Sequence, residues 1–251
     1  MSVLITRPDE PGRQLTQHLN QVGIAAHHFP LISILASNKN HQLQHDLECA
    51  DIVIAVSQYA VTYADKSIKH WPSQCLYFAI GSKTALQLEQ VTKKTVYTPE
   101  IHESEHFLLL PELSQSRIFK KKVIILRGNG GRDLIREQLS ARGAYVEYRE
   151  VYQRKNIKFD SKLAITEWQD NLIQHVVITS SEQLNHLLSM CRGNKSWLVE
   201  RCVYVPSERI AQEAKALGFT QVVCTHGASN TVITRALQAH IKENNNDQKD
   251  Q

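Results

Sequence analysis

Residues 3–23 and 123–143 carry one pattern twice. At a constant offset of 120, Val3 falls on Val123, Arg7 on Arg127, Leu15 on Ile135, Leu19 on Leu139 and Gly23 on Gly143. The repetition continues at slightly larger offsets. Ile52–Val56 leads to Ser57 and a helical pattern, as Val176–Thr179 leads to Ser180 and Ser181. Leu76–Ile80 leads into Gly81-Ser82-Lys83-Thr84, as Val203–Val205 leads into Pro206-Ser207-Glu208-Arg209. Thr95–Thr98 leads to Ser104, as Val222–Cys224 leads to Ser229. A duplicated alternation of short β-branched runs with amphipathic helices implies two similar α/β halves, each built on a parallel sheet. Periodicity alone divides them near 115–120.

The second copy is the more informative. Val123–Leu126 has the length of a buried strand. Arg127-Gly128-Asn129-Gly130-Gly131-Arg132 follows as a turn suited to glycine backbone. Asp133 stands at a helix start, where an acid suits the helix dipole. Gly143 ends that helix, and Tyr145–Tyr152 returns as a strand. Free backbone N–H groups and two guanidiniums at a helix N-terminus form a place that receives anions.

A serine or threonine recurs between strand and helix: Ser57, Thr84, Ser104, Ser181, Ser207 and Ser229. N-capping accounts for one such residue, at about 1 kcal/mol each. Their shared position adds a second meaning, because parallel sheets bind ligands beyond the carboxyl ends of their strands. One helix dipole contributes only about 0.3–1 kcal/mol. A useful site therefore gathers several, together with charge-assisted bonds of about 1.5–3 kcal/mol. That suits a ligand with many carboxylates.

Composition narrows the classes. A net charge of +4 over 251 residues is no nucleic-acid signature, and the runs Lys93-Lys94 and Lys120–Lys122 read as solvated ends. Apolar runs reach about five residues, far below the ~20 of a membrane span. The opening MSVLITRP reads as a first strand, not a signal peptide. Five scattered cysteines without a Cys-x-x-Cys pair point to reduced thiols in the cytoplasm.

Other motifs fall short. Gly128-Asn129-Gly130 begins like a dinucleotide fingerprint, with Glu147 or Glu150 downstream, but Asp133 holds the third glycine position and would crowd a pyrophosphate. Gly81-Ser82-Lys83-Thr84 lacks the earlier glycine of a phosphate-binding loop. His102-Glu103-Ser104-Glu105-His106 has metalloprotease spacing, which works only within a helix. Pro99 and a cap at Ser104 put His102 outside one, so no metal site is expected. No Ser/His/Asp or Cys/His constellation stands out. A two-domain binding protein without chemistry stays open on these grounds.

The chain resembles uroporphyrinogen-III synthases of the gamma-proteobacterial type. The likeness rests on LITRP at the start, HFPLI at 28–32, SQYAV at 57–61, FAIGSKTA at 78–85, SEHFLLLPEL at 104–113, ILRGNGGRDLI at 125–135, RGAYVEYREVYQR at 142–154, VVITSSEQL at 176–184 and VPSERIA at 205–211. It spans nearly the whole chain.

The resemblance implies two doubly wound α/β domains joined by a two-stranded linker, with a cleft between them. Residues 1–32 and 157–251 would form one domain and 34–155 the other, while the polar composition of 243–251 by itself reads as a disordered tail. Linker strands would be Leu31–Ala36 and Val151–Lys155. The implied reaction cyclises hydroxymethylbilane, a linear tetrapyrrole with eight carboxylates, to uroporphyrinogen III, with inversion of ring D, loss of water and no cofactor. Tyr152 matches the family's cleft tyrosine and would protonate the departing hydroxyl. Thr84 matches a cleft threonine beside Gly81. In the second half Ser207 falls on Gly81 and Ile210 on Thr84, so a hydroxyl contact there falls to Ser207. Arg7, Ser57, Arg127, Gly128, Asn129, Gly130, Ser180 and Ser181 are the remaining candidate carboxylate contacts, although Arg127 could instead pair with Asp133. The implied enzyme is a monomer. It has no nucleic-acid or membrane partner and makes transient contact with the enzyme that precedes it.

Overall fold

The β-branched runs become strands, and the apolar residues three and four apart between them become helices, in a computed structural model that describes residues 2–38, 40–101 and 103–247. The first stretch is β1 (Ser2–Ile5), α1 (Asp9–Gln21), β2 (Ala26–His28), β3 (Ile32–Ala36), α2 (Leu43–Glu48), β4 (Ile52–Ala55) and α3 (Gln58–Asp65). The middle continues with β5 (Leu76–Ala79), α4 (Ser82–Thr92), β6 (Val96–Tyr97), α5 (Ser104–Phe107), α6 (Gln115–Ile118), β7 (Lys122–Gly128), α7 (Leu134–Ala141) and β8 (Tyr145–Asn156). The last stretch is α8 (Ser161–Asp170), β9 (Ile173–Val177), α9 (Ser181–Met190), α10 (Lys195–Val199), β10 (Cys202–Val205), α11 (Glu208–Ala216), β11 (Val222–Cys224) and α12 (Asn230–Asp247).

Two compact units result, one of residues 1–33 with 155–251 and one of 34–154. The first holds a parallel sheet in the order β11-β10-β9-β1-β2. Its two faces read off the period-two alternation. Leu4, Val176, Val203 and Val205 pack with Trp168, Leu184, Leu187 and Ile210 on one side. Val3, Ile5, Val177, Cys202 and Tyr204 pack with Leu15, Leu19, Ile233 and Leu237 on the other. Burial on both faces is what an all-parallel sheet requires.

The second unit holds the order β3-β8-β7-β4-β5-β6. Ile52, Ile54, Phe78, Val123 and Ile125 pack against Ile135 and Leu139 of α7. Strands β8, β7, β4, β5 and β6 run parallel. Strand β3 runs against β8: the Leu31 carbonyl accepts from Ile157 N–H, while Ser37 N–H donates to the Val151 carbonyl.

The continuous strand expected over Ile24–Leu35 is broken between β2 and β3, where Pro30 lacks an N–H to continue a ladder. Helix α12 is assigned over Asn230–Asp247, where Ile233 and Leu237 seat it on the sheet. Residues 248–251 lie outside the described residues, as does His102 of the metalloprotease-like pattern. Among the described residues no helix is long and apolar enough to cross a membrane.

Candidate functional site

Parallel sheets open a crevice where the chain reverses its direction of strand addition. In the 34–154 unit that point lies between β4 and β7: β5 and β6 add on one side, β8 and β3 on the other. Ala55 pairs with Leu126, so Val56-Ser57 and Arg127-Gly128 emerge side by side at the strands' carboxyl ends.

A cavity of about 190 Å³ opens there. Val56, Ile80, Ile125 and Ile135 supply apolar walls, and Arg127, Arg132 and Arg154 a basic rim. Tyr148 and Tyr152 close one side. An apolar floor beneath several guanidiniums fits a ring that carries carboxylates.

The turn between β7 and α7 builds the rim. Gly130 and Gly131 have φ of +81° and +114°, which favours glycine. Among the described residues the N–H groups of Gly130, Gly131 and Arg132 donate to no protein carbonyl, leaving them for an anion at the α7 N-terminus. Asn129 is different. Its N–H donates to the Tyr152 carbonyl (3.2 Å), its Oδ1 accepts from Arg154 N–H (2.6 Å), and its Nδ2 donates to the Arg154 carbonyl (3.3 Å). Asn129 therefore holds the end of β8, where a direct carboxylate contact was expected.

Arg127 is buried, with 7% of its surface exposed. It donates to Asp133 Oδ1 at 3.3 Å and lies 4.2 Å above the Tyr148 ring. The structural alternative for Arg127 is thus formed, and its guanidinium still lines the cavity. Burial raises the Tyr148 phenol above its ordinary pKa, and the nearby Asp133 carboxylate adds to this while Arg127 opposes it.

A bulge sets the place of Tyr152. Arg127 pairs with Glu150, but Gly128 pairs with Tyr152, so β8 has one extra residue here. One extra residue moves the following side chains to the other face. Tyr148 faces α7, whereas Tyr152 stacks near Tyr59 and Tyr63 of α3. Its hydroxyl lies 3.1 Å from Ser57 Oγ and receives Arg154 Nη2 at 3.4 Å. Ser57 caps α3, accepting from Ala60 N–H.

Gly81 caps α4 at the end of β5. Thr84 is not a cap: it is the third residue of α4 and is buried. The caps of α5 and α9 are likewise Glu103 and Ser180, which makes Ser104 and Ser181 first helical residues. Each cap is the extended residue just before its helix, one to three positions earlier than expected.

In the other unit the reversal lies between β1 and β9, with Ile5 paired to Val177. Arg7 follows β1 and donates to Asn230 Oδ1 at 2.9 Å. Ser180 caps α9, accepting from Gln183 N–H, and Ser181 Oγ accepts from Arg209 at 3.0 Å. Ser207 caps α11 without a side-chain bond. Arg7, Ser180, Ser181 and Ser207 thus share one sheet edge, and Ser57, Gly81, Thr84, Arg127, Gly128, Asn129, Gly130 and Tyr152 share the other unit's edge.

Sequence reading does not single out Tyr148 or Arg154. Arg132, one of the two guanidiniums read at the helix N-terminus, does line the cavity. Arg154 follows Tyr152 by two residues in a strand, which puts both on one face and could have marked it.

The family described as "Uroporphyrinogen-III synthase HemD" matches residues 13–231. The chain is 39% identical over 248 residues to the uroporphyrinogen-III synthase of Escherichia coli strain K12, covering 95% of this chain and all of that one. It is 38% identical to that of Salmonella typhimurium, with the same coverage. A mutant uroporphyrinogen III synthase structure from Thermus thermophilus superposes with a TM-score of 0.59 at 13% identity, covering 95% of this chain and 99% of that chain, a likeness of fold.

Proposed function

The chain belongs to the uroporphyrinogen-III synthase family, and from that premise we propose that it closes hydroxymethylbilane to uroporphyrinogen III at the edge that carries Tyr152. The observation that carries this reading is the Tyr152 hydroxyl, 3.1 Å from Ser57 Oγ at a cavity rimmed by Arg127, Arg132 and Arg154.

The substrate's carboxylates would take the guanidiniums of the rim and the N–H groups of Gly130 and Gly131. At about 1.5–3 kcal/mol for each charge-assisted bond, a few of them fix one pyrrole ring. Tyr152 would deliver its proton to the terminal hydroxyl of the substrate, which leaves as water. The pyrrole nitrogen lone pair expels it and leaves an azafulvene electrophile. Ring D attacks through its substituted carbon, the spiro intermediate fragments and recloses with ring D inverted, and the proton lost as the closing ring regains aromaticity restores the Tyr152 phenol. Closure without inversion needs no enzyme, so the protein's contribution is orientation. Because the substrate supplies both electron pair and leaving group, no metal or organic cofactor enters this scheme.

Gly81, Thr84 and Ser57 would contact the same substrate in one unit, and Arg7, Ser180, Ser181 and Ser207 in the other. In this reading the protein works as a cytoplasmic monomer that takes its labile substrate by transient contact with the enzyme that makes it.

The test is a coupled assay. Hydroxymethylbilane is generated in situ, protein is added, and the oxidised porphyrin isomers are separated. Predominance of isomer III is expected. Isomer I alone, at the spontaneous rate and with folded protein, would overturn the proposal.

A further inference from the structure

The 1–33/155–251 unit contains a second chemical cluster, away from the carboxyl edge of its sheet. Strands β9 and β10 pair so that His175 stands directly opposite Cys202. Both face α12, which carries His240 on the same helical face as Ile233 and Leu237, one turn further on. One donor atom from each of His175, Cys202 and His240 lies within 4.8 Å of the other two.

The surroundings make this more than packing. His175 is 3% exposed, and among the described residues its Nε2 is buried without a hydrogen-bond partner. His240 Nε2 is also buried and, among the described residues, unpartnered. An unmet buried nitrogen costs about 1–3 kcal/mol. Two beside one buried thiol are better explained by a shared ligand. The other side of His175 is held, because Tyr204 Oη lies 3.4 Å from its Nδ1. Such a contact fixes tautomer and ring orientation in metal-binding histidines.

We propose that His175, Cys202 and His240 bind one soft monovalent metal ion of the Cu(I) class, tying β9, β10 and α12 together. Two imidazoles and one thiolate suit a soft ion in trigonal coordination. Charge selects the monovalent form: a thiolate with Cu(I) sums to zero, whereas Zn(II) would leave a positive charge among Val3, Ile5, Val177 and Leu237. At metal–ligand bonds of about 2.0–2.3 Å the donors would stand about 3.7 Å apart, so each moves by less than about 1 Å. Without metal, burial keeps the thiol protonated, with its pKa pushed up to about 11, and keeps His175 neutral, with its pKa pushed down to about 4. Binding forms one Cu–S bond and two Cu–N bonds and releases the Cys202 proton to solvent. The oxidation state does not change.

The exposed Cys49 and the partly exposed Cys224 are first replaced by serine, so that surface thiols do not compete. The full chain, reduced and anaerobic, is titrated with Cu(I) against a chromophoric Cu(I) chelator. It should withdraw one equivalent, develop an ultraviolet thiolate-to-copper charge-transfer band and show a raised Tm. Cys202→Ser should remove the band and weaken binding at least a hundredfold. His240→Gln, at a partly exposed position, should weaken it about tenfold without changing the metal-free Tm, which keeps the test decisive if Cys202→Ser fails to fold. Withdrawal of less than half an equivalent overturns the proposal, as does binding unchanged in His240→Gln. Retention of Zn(II) in preference to Cu(I) overturns it too.

Discussion

The Tyr152 ring occupies the space where a side chain on residue 128 would begin. A Cβ built on Gly128 would lie 2.4 Å from Tyr152 Cε2 and 2.6 Å from Cζ. No side chain tolerates that approach, so the glycine and the bulge that turns Tyr152 over it form one device. Gly128→Ala should push the ring from its seat beside Ser57. Overpacking of this kind costs about 1–3 kcal/mol, measurable by urea unfolding, and isomer III should decline in favour of isomer I. Gly193→Ala, which meets nothing within 4 Å, is the control and should stay within about 0.5 kcal/mol of the parent.

Removing only the hydroxyl separates chemistry from packing. Tyr152→Phe keeps the ring against Tyr59 and Tyr63 and loses the bond to Ser57. Stability should fall by about 1 kcal/mol. Turnover should fall by about 10²–10⁴-fold, the range for a general acid. Full turnover in a folded Tyr152→Phe protein would remove Tyr152 from the proton-transfer role.

These two residues also show what the sequence displays and what it hides. The strand–glycine turn–helix unit from Val123 is plain in its alternation and glycines, and so is the two-fold repetition of parallel α/β units. Strand partnership is not. Repetition divides the chain near 115–120, yet β1 lies beside β9 and carries β2 on its other side, because pairing across about 170 residues leaves no local mark. The bulge is hidden for the same reason. By parity alone Tyr148 and Tyr152 share a face, and only the register against β7 separates them. Caps at Thr84, Ser104 and Ser181 are expected and not found, because several residues flank each turn and backbone conformation selects one. The His175–Cys202–His240 group is scattered over 65 positions, so no spacing rule finds it.

The pH dependence of stability should carry the mark of His175. Burial, with His240 adding to it, lowers its pKa from 6.5 to about 4. Between those values the unfolded chain binds a proton that the folded protein refuses. Stability is therefore fully present above pH 6.5 and declines as pH falls toward 4, by about 3 kcal/mol at 1.36 kcal/mol per pH unit. Urea unfolding of metal-free protein from pH 7 to pH 4 measures this, and the slope should flatten in His175→Asn.

Asn129 offers the sharpest separation of positioning from contact. Its amide is spent on the Arg154 backbone through a 2.6 Å and a 3.3 Å bond, while the Arg154 guanidinium reaches the Tyr152 hydroxyl and the cavity. If Asn129 acts by holding Arg154, its loss and the loss of Arg154 remove the same interaction. Asn129→Ala and Arg154→Ala should then each lower kcat/KM by about tenfold or more, the scale of one charge-assisted bond. The double variant should be little worse than Arg154→Ala alone. A direct contact between Asn129 and a substrate carboxylate would instead give effects that multiply. The double-mutant cycle, read in kcat/KM with the isomer ratio as a second measure, distinguishes the two. Asn129→Asp refines it: the carboxylate keeps the acceptor for Arg154 N–H but faces the Arg154 carbonyl without a donor, so it should resemble Asn129→Ala, not the parent.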